Sequence, residues 1–281
     1  MRELTEQQIL KFRNHLIEEE KSKATIEKYE RDLKVFQSWL GKATLDKGSV
    51  LNYKVYLCEK YATASVNSML SSINSFFAYF EWFELRVKTI KVQKQIFASK
   101  EKELSKSEYE RLLAVAKAKS LRLYLLLQTI CSTGIRISEL RFVTVESLNR
   151  GTAEVSCKGK RRCVFLPTIL CKMLEIYVKE QKIKSGPIFV SKNGNPLDRS
   201  NIWNAMKKLC KEARVSESKV FPHNLRHLFA RTYYSAQKDV VRLADILGHS
   251  SVNTTRLYTM ETGDVHRKQI QRLGLICDNT T

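Results

Sequence analysis

The chain has 281 residues and a formal net charge of +20, with 49 basic side chains against 29 acidic ones. That length allows one large domain or two ordinary ones, each able to bury its own core. No apolar signal core opens the chain and no run of about 18 apolar residues follows, so the charge favours nucleic acid over membrane and predicts a cytoplasmic protein.

The charge is uneven. Residues 1–100 carry a net +5 and residues 101–281 a net +15, so more of the phosphate contact is expected from the second part. The seven cysteines include no C-x-x-C pair. Cys157, Cys163 and Cys171 fall among predicted strands and a helix and read as reduced core thiols.

The first 85 residues read as four helices. Thr5 caps the first, with Ile9, Phe12 and Leu16 on one face. Thr25 is the expected cap of the second, which carries Tyr29, Leu33, Phe36 and Leu40 and stops at Gly41. A third covers Val50 to Tyr61. A fourth starts near Ser65 and carries Met69, Ile73, Phe76, Phe77 and Phe80. Residues 1–86 therefore form a small four-helix bundle. Residues 87–103 are basic, lack a helical face and read as a linker.

Residues 104–281 read as a second, mainly helical domain with a small antiparallel sheet. Ser105 and Glu108 form a capping box that opens a helix. Leu121 to Cys131 is an apolar, buried helix. Thr152 to Cys157 and Arg162 to Pro167 alternate as two strands joined by the Lys158–Arg161 turn. A helix from Thr168 to about Gln181 follows, then a third short strand at Pro187–Val190 and a turn at Asn193–Pro196. Asp198 or Ser200 caps a helix through Leu209. Pro222 opens another. Val241 to Leu247 ends at Gly248 in a C-cap role. Asp264 to Cys277 reads as a tail helix with Val265, Ile270, Leu273 and Ile276 as its apolar stripe.

Several polar residues stand out on this framework, each with a bland alternative. Arg136 follows Gly134 at an element start, where a guanidinium fork can meet a phosphate. Glu139, three residues on, can hold it in place. An isolated arginine there is more often a solvated charge. Lys158 at the hairpin tip can donate a proton to a departing oxygen. Lys-Gly-Lys alone reads more simply as a solubilising turn, and Lys160 competes for any specific role. His223 and Arg226 share a helix face and can address one phosphate by proton transfer and charge. His227 is expected to face elsewhere and pack. His249 follows Gly248 at an exposed corner. Tyr258 lies on the next segment, Val252 to Thr259. A tyrosine there would ordinarily pack, and near its usual pKa of about 10 it needs cations or a base to act as a nucleophile. There is no H-E-x-x-H, no paired C-x-x-C, no acidic cluster for two magnesium ions and no P-loop, so no metal or cofactor is expected.

Taken in order, these motifs resemble those of the tyrosine recombinase, or phage integrase, family. Thr133-Gly134-Ile135-Arg136-Ile137-Ser138-Glu139-Leu140 resembles its first box, with the arginine on Arg136 and the acidic residue on Glu139. His223-Asn224-Leu225-Arg226-His227 resembles the second. Leu247-Gly248-His249, followed nine residues later by Tyr258, resembles the third, with the nucleophile on Tyr258. The family's hairpin lysine falls on Lys158. Thr25-Ile26-Glu27-Lys28-Tyr29 resembles its SAM-like core-site-binding domain. Leu228 stands where the family usually has threonine or serine. No arm-site-binding domain precedes the bundle, which favours a simple two-domain recombinase.

The resemblance implies a site-specific DNA recombinase working through a 3′-phosphotyrosyl intermediate, in integration or excision of a mobile element or in dimer resolution. Tyr258 would be the nucleophile, Arg136 and Arg226 the phosphate clamp, Lys158 the acid, His223 the base and His249 a hydrogen-bond donor. Glu139 would support the clamp. It also implies double-stranded DNA with short inverted-repeat core sites, a homotetramer on synapsed DNA, and room for an accessory or partner recombinase. Two other readings stay open: a type IB topoisomerase, which rejoins the same strand, and a DNA-binding protein of the same fold without chemistry.

Overall fold

The computed structural model describes residues 2–91, 103–157, 160–191, 193–259 and 271–273. The chain divides into two compact units, Met1–Lys94 and Gln95–Thr281.

The first unit is four helices: α1 (Glu6–Glu18), α2 (Lys23–Leu40), α3 (Lys47–Lys60) and α4 (Thr63–Tyr79). Thr5 and Gln8 cap α1 reciprocally. Ser22, not Thr25, caps α2: its hydroxyl accepts from the Thr25 N–H, and Thr25 already lies inside the first turn. Asp46 likewise starts α3 at Lys47, ahead of the expected Val50. Phe12, Leu33, Phe36, Leu57, Ile73, Phe76 and Phe77 are buried at the centre. Two polar residues join them, Asp32 and Ser72. Asp32 is 4% exposed, pairs with Lys28 at 2.5 Å and accepts from the Ser72 hydroxyl at 2.7 Å, which ties α2 to α4. Beyond the bundle the chain runs extended but held. The Asn74 amide bonds the N–H and carbonyl of Val87, and the Asn67 amide does the same for Ile90. The stretch expected to be free linker from residue 87 is thus docked on α4 as far as Ile90.

The second unit is mainly helical, as expected. It opens with α5 (Lys106–Lys119), capped by Ser105 and Glu108, and α6 (Leu121–Thr133). A 3₁₀ turn (Ile137–Phe142) and α7 (Val145–Arg150) lead to the antiparallel pair β1 (Thr152–Cys157) and β2 (Lys160–Phe165). Cys157 pairs with Lys160, so the connection is two residues, shorter than the expected four. The sequence continues through α8 (Thr168–Glu180), α9 (Arg199–Ala213), α10 (Pro222–Gln237), α11 (Val240–Leu247) and α12 (Val252–Thr259). Asp198 caps α9, which runs on past Leu209. The expected strand at Pro187–Val190 is absent. Among the described residues only isolated bridges form here, Thr144 with Pro187 and Val190 with Pro196, with no neighbouring strand alongside to extend them.

Leu112, Leu126, Ile130, Leu174, Phe189, Met206 and Leu225 lie in the main core, and a smaller cluster joins Ala230, Leu243, Leu247 and Tyr258. Cys171 and Cys210 are buried thiols, but Cys163 is exposed. The strand's period of two explains this. Val164 and Leu166 face inward, so Cys163 and Phe165 face out. The expected hairpin tip Lys158–Gly159, and the predicted tail helix apart from residues 271–273, lie outside the described residues. Among the described residues no helix is long and apolar enough to cross a membrane.

Candidate active site

The site is built around the C-terminal end of α11. The last carbonyls of a helix have no intrahelical partner and carry the negative end of its dipole. Here three consecutive ones are taken by three guanidiniums. Arg162 donates to Ile246 O at 2.6 Å, Arg226 to Leu247 O at 2.7 Å, and Arg136 to Gly248 O at 3.2 Å.

Two glycines make this convergence possible. Gly134 ends α6 in the left-handed region, at φ +64°, and its carbonyl accepts from Arg226. A Cβ at Gly134 would lie 2.5 Å from the Phe229 ring. Gly248 ends α11 at φ +62°, and a Cβ there would lie 2.3 Å from Cδ of Arg162. Each position thus needs both the backbone freedom and the empty space of glycine.

Glu139 balances part of the charge. It is 1% exposed. Its Oε1 accepts from Arg136 Nη1 at 2.8 Å, and its Oε2 from Arg162 Nη2 at 2.6 Å and from the Arg136 backbone N–H at 2.9 Å. Burial alone would raise its pKa. The Arg136 N–H and the two guanidiniums outweigh that and hold it below the usual carboxylate value. The expected Arg136–Glu139 contact is present, but Arg136 caps a 3₁₀ turn rather than an α-helix. Arg136 keeps an exposed edge, whereas Arg226 is 2% exposed. Burial, then the charge of Arg136, lowers the pKa of Arg226 to about 10, so it stays protonated at neutral pH.

The imidazoles lie beside these cations. His249 places Nε2 3.1 Å from Arg226 Nη2 and Nδ1 2.8 Å from the Thr255 hydroxyl. Burial first, then Arg226, Arg136 and Arg162, bring its pKa down to about 4. His223 is lowered as well, by burial and then by Arg226, Arg136 and Arg199. His227 falls to about 4, by burial and then by His223 and Arg226. All three are neutral at pH 7.

Tyr258 is 5% exposed on α12. The His227 ring meets it edge-on, with centroids 4.6 Å apart, and the His249 ring lies 5.8 Å away and nearly parallel. His223 touches His227 at 4.4 Å. His227 therefore does not face away from the site, contrary to expectation. His223 and His227 are four apart on α10, and i,i+4 residues share a helix face as i,i+3 residues do.

The structure thus gathers Arg136, Glu139, Arg226, His249 and Tyr258 at one place, with His223 joined through His227. Lys158 lies outside the described residues. Two residues, Arg162 and Thr255, were not singled out in the sequence, and a third, His227, was set aside there as packing. Arg162 shares the inward face of β2 with Val164 and Leu166, a signal of strand alternation. Thr255 lies three residues before Tyr258, on the same inward stripe of α12. His227 carries the i,i+4 signal. Chemically, three permanent cations face one carboxylate, and the surplus positive charge, with neutral imidazoles and a phenol beside it, suits a phosphodiester. Among the described residues no three His, Cys, Asp or Glu side chains gather as metal ligands.

Comparison with known proteins is consistent with this geometry. Residues 102–263 match the phage integrase family and residues 9–83 match the phage integrase N-terminal SAM-like domain. The tyrosine recombinase XerD of Staphylococcus saprophyticus is 30% identical over 276 residues, covering 90% of this chain and 91% of that protein. The tyrosine recombinase XerA of Pyrococcus horikoshii is 30% identical over 274 residues, covering 94% and 93%. The fold is shared with a lambda integrase dimer bound to a COC′ core site, at a TM-score of 0.76 and 16% identity, covering 92% of this chain and 96% of that one.

Proposed function

Given that the chain belongs to the phage integrase family, we propose that its α11 cluster is the catalytic centre of a DNA strand exchange in which Tyr258 is the nucleophile. The enzyme is a tyrosine recombinase that breaks and rejoins DNA. The single observation that carries the site assignment is the convergence of Arg136, Arg226, His249 and buried Tyr258 at the end of one helix.

The Tyr258 oxygen attacks the scissile phosphorus. A tyrosine O–P bond forms and the P–O5′ bond breaks, which leaves a 3′-phosphotyrosyl bond and a 5′-hydroxyl. Negative charge grows on the non-bridging oxygens, and Arg136 and Arg226 offset it by exchanging carbonyl partners for phosphate. His223 is neutral because of burial and the cations around it, so it has a free lone pair for the phenolic proton. Lys158 supplies the proton that the 5′-oxygen takes. His249 donates a hydrogen bond to the phosphate. A 5′-hydroxyl from a second duplex reverses the step. The phosphotyrosyl bond conserves the energy of the broken one, so ligation requires no ATP.

The substrate is double-stranded DNA with short inverted-repeat core sites. The active assembly is a tetramer on two synapsed sites, and the enzyme works in the cytoplasm, with or without a partner recombinase. The test is a nicked suicide duplex offered with a second, unlabelled duplex. The expected result is a covalent protein–DNA adduct that resolves by transfer to the second duplex. Religation only to the original strand would indicate a topoisomerase, and no adduct a binding protein without chemistry.

A further inference from the structure

We propose that Thr255 is the positioning residue for His249, and that its hydroxyl, able to accept from Nδ1 or donate to it, lets the ring change tautomer when DNA binds. The proposal rests on the reading that His249 contacts the scissile phosphate.

The argument starts from what each group can donate. A guanidinium has donors only. Arg226 Nη2 lies 3.1 Å from His249 Nε2, so in the DNA-free arrangement Nε2 is the acceptor and carries no proton. The proton of the neutral ring is therefore on Nδ1, which donates to Thr255 Oγ1 at 2.8 Å. This tautomer cannot donate from Nε2 to a phosphate oxygen. Adding a second proton is disfavoured, because burial and three arginines hold the ring neutral down to about pH 4. The ring must instead lose the Nδ1 proton and gain one at Nε2. That exchange moves one proton through solvent and leaves the net charge unchanged.

Nδ1 then changes from donor to acceptor, and its partner has to change with it. A carboxylate or a backbone carbonyl, the usual second partner of a functional histidine, can only accept and would hold the proton on Nδ1. A hydroxyl both accepts and donates. Thr255 is fully buried, so no water substitutes readily for its hydroxyl. It also lies one helical turn before Tyr258 on α12, so the group that orients His249 rides on the helix that carries the nucleophile. The phosphate drives the change, by drawing Arg226 to itself and offering Nε2 an acceptor.

The test combines spectroscopy and kinetics on the full chain. With ¹⁵N-labelled histidine, and His249 assigned by the signals lost in His249→Ala, the DNA-free protein should show the Nδ1–H tautomer. A Tyr258→Phe protein bound to a core-site duplex should show Nε2–H. In single-turnover cleavage of the nicked duplex, Thr255→Val should slow the reaction roughly 10- to 100-fold, part of the loss typical of removing one transition-state donor. Half-site binding should be retained, and Thr255→Ser should restore cleavage to within a few-fold. A ring that keeps Nδ1–H with DNA bound overturns the proposal, whether or not the valine variant folds. So does Thr255→Val cleaving within about 3-fold of wild type while His249→Ala is severely impaired. If His249→Ala itself cleaves normally, the reading beneath the proposal fails instead.

Discussion

Arg162 offers the sharpest test of the packing around the site. Replacing it with methionine keeps most of the aliphatic stem and removes the charge. Two hydrogen bonds go: one to buried Glu139 at 2.6 Å, with charge on both sides, and one to the Ile246 carbonyl at 2.6 Å. Removing one partner of a buried ion pair typically costs about 3–5 kcal/mol. Two features pull the figure down. Glu139 keeps the Arg136 guanidinium and N–H, so it is not orphaned. Arg162 Nε is buried with no hydrogen-bond partner among the described residues, and losing that atom relieves a penalty of about 1–3 kcal/mol. The expected net loss is about 2–3 kcal/mol, read as a lower urea midpoint for the second unit. Glu139→Gln in the Arg162→Met background should restore part of it, with a coupling energy of at least about 1 kcal/mol. Cleavage should fall too, because Arg136 becomes the sole guanidinium on Glu139 and is held from the phosphate. If Arg162→Met stays within about 0.5 kcal/mol of wild type, or the two substitutions simply add, the reasoning is wrong.

The other predictions concern pH, the leaving group and metal. The folded pKa values of Glu139, His227 and His249 lie below their ordinary ones, so the unfolded chain binds more protons in the intervening window. Stability is therefore complete above the unfolded values and is lost as pH falls, from 6.5 down to about 4 for the two histidines and below 4.5 for Glu139. Urea midpoints should drop across that range, and Glu139→Gln should flatten the slope below pH 4.5; an unchanged slope would count against the assignment. Lys158→Ala should slow cleavage of an ordinary phosphodiester but not of a 5′-bridging phosphorothiolate, whose thiolate leaves without an acid. Equal impairment on both substrates would make Lys158 a DNA-positioning residue. Cleavage should persist in excess EDTA without added nucleotide, and its loss while DNA binding survives would point to a metal.

Much of this fold was legible because its helices are amphipathic and capped. Ile9, Phe12 and Leu16 predicted α1, and Ser105 with Glu108 predicted the start of α5. The failures have physical causes. Thr25 and Ser22 are both good caps, and only the observed hydrogen bond selects Ser22. Pro187–Val190 has strand composition, but a strand needs a neighbour, and only single bridges formed. The site was legible where residues cluster in sequence, as in Thr133–Leu140 and His223–His227. Arg162 was hidden because its partners Glu139 and Ile246 are 23 and 84 residues away. An arginine on the inward face of a strand makes sense only once they are in place. Thr255 was hidden for a similar reason, since its partner His249 lies six residues away, at the corner between α11 and α12.

The central claim is that the oxygen of Tyr258 becomes joined to DNA. The direct measurement is to trap the adduct on a nicked core-site duplex, digest protein and DNA, and sequence the nucleotide-bearing peptide by mass spectrometry. The account predicts a 3′-phosphotyrosyl nucleotide on Tyr258, and no adduct from Tyr258→Phe. A nucleotide on Tyr233 or Tyr234, which lie on α10 and pack against the cluster that holds Tyr258, or an adduct that survives the substitution, would contradict it.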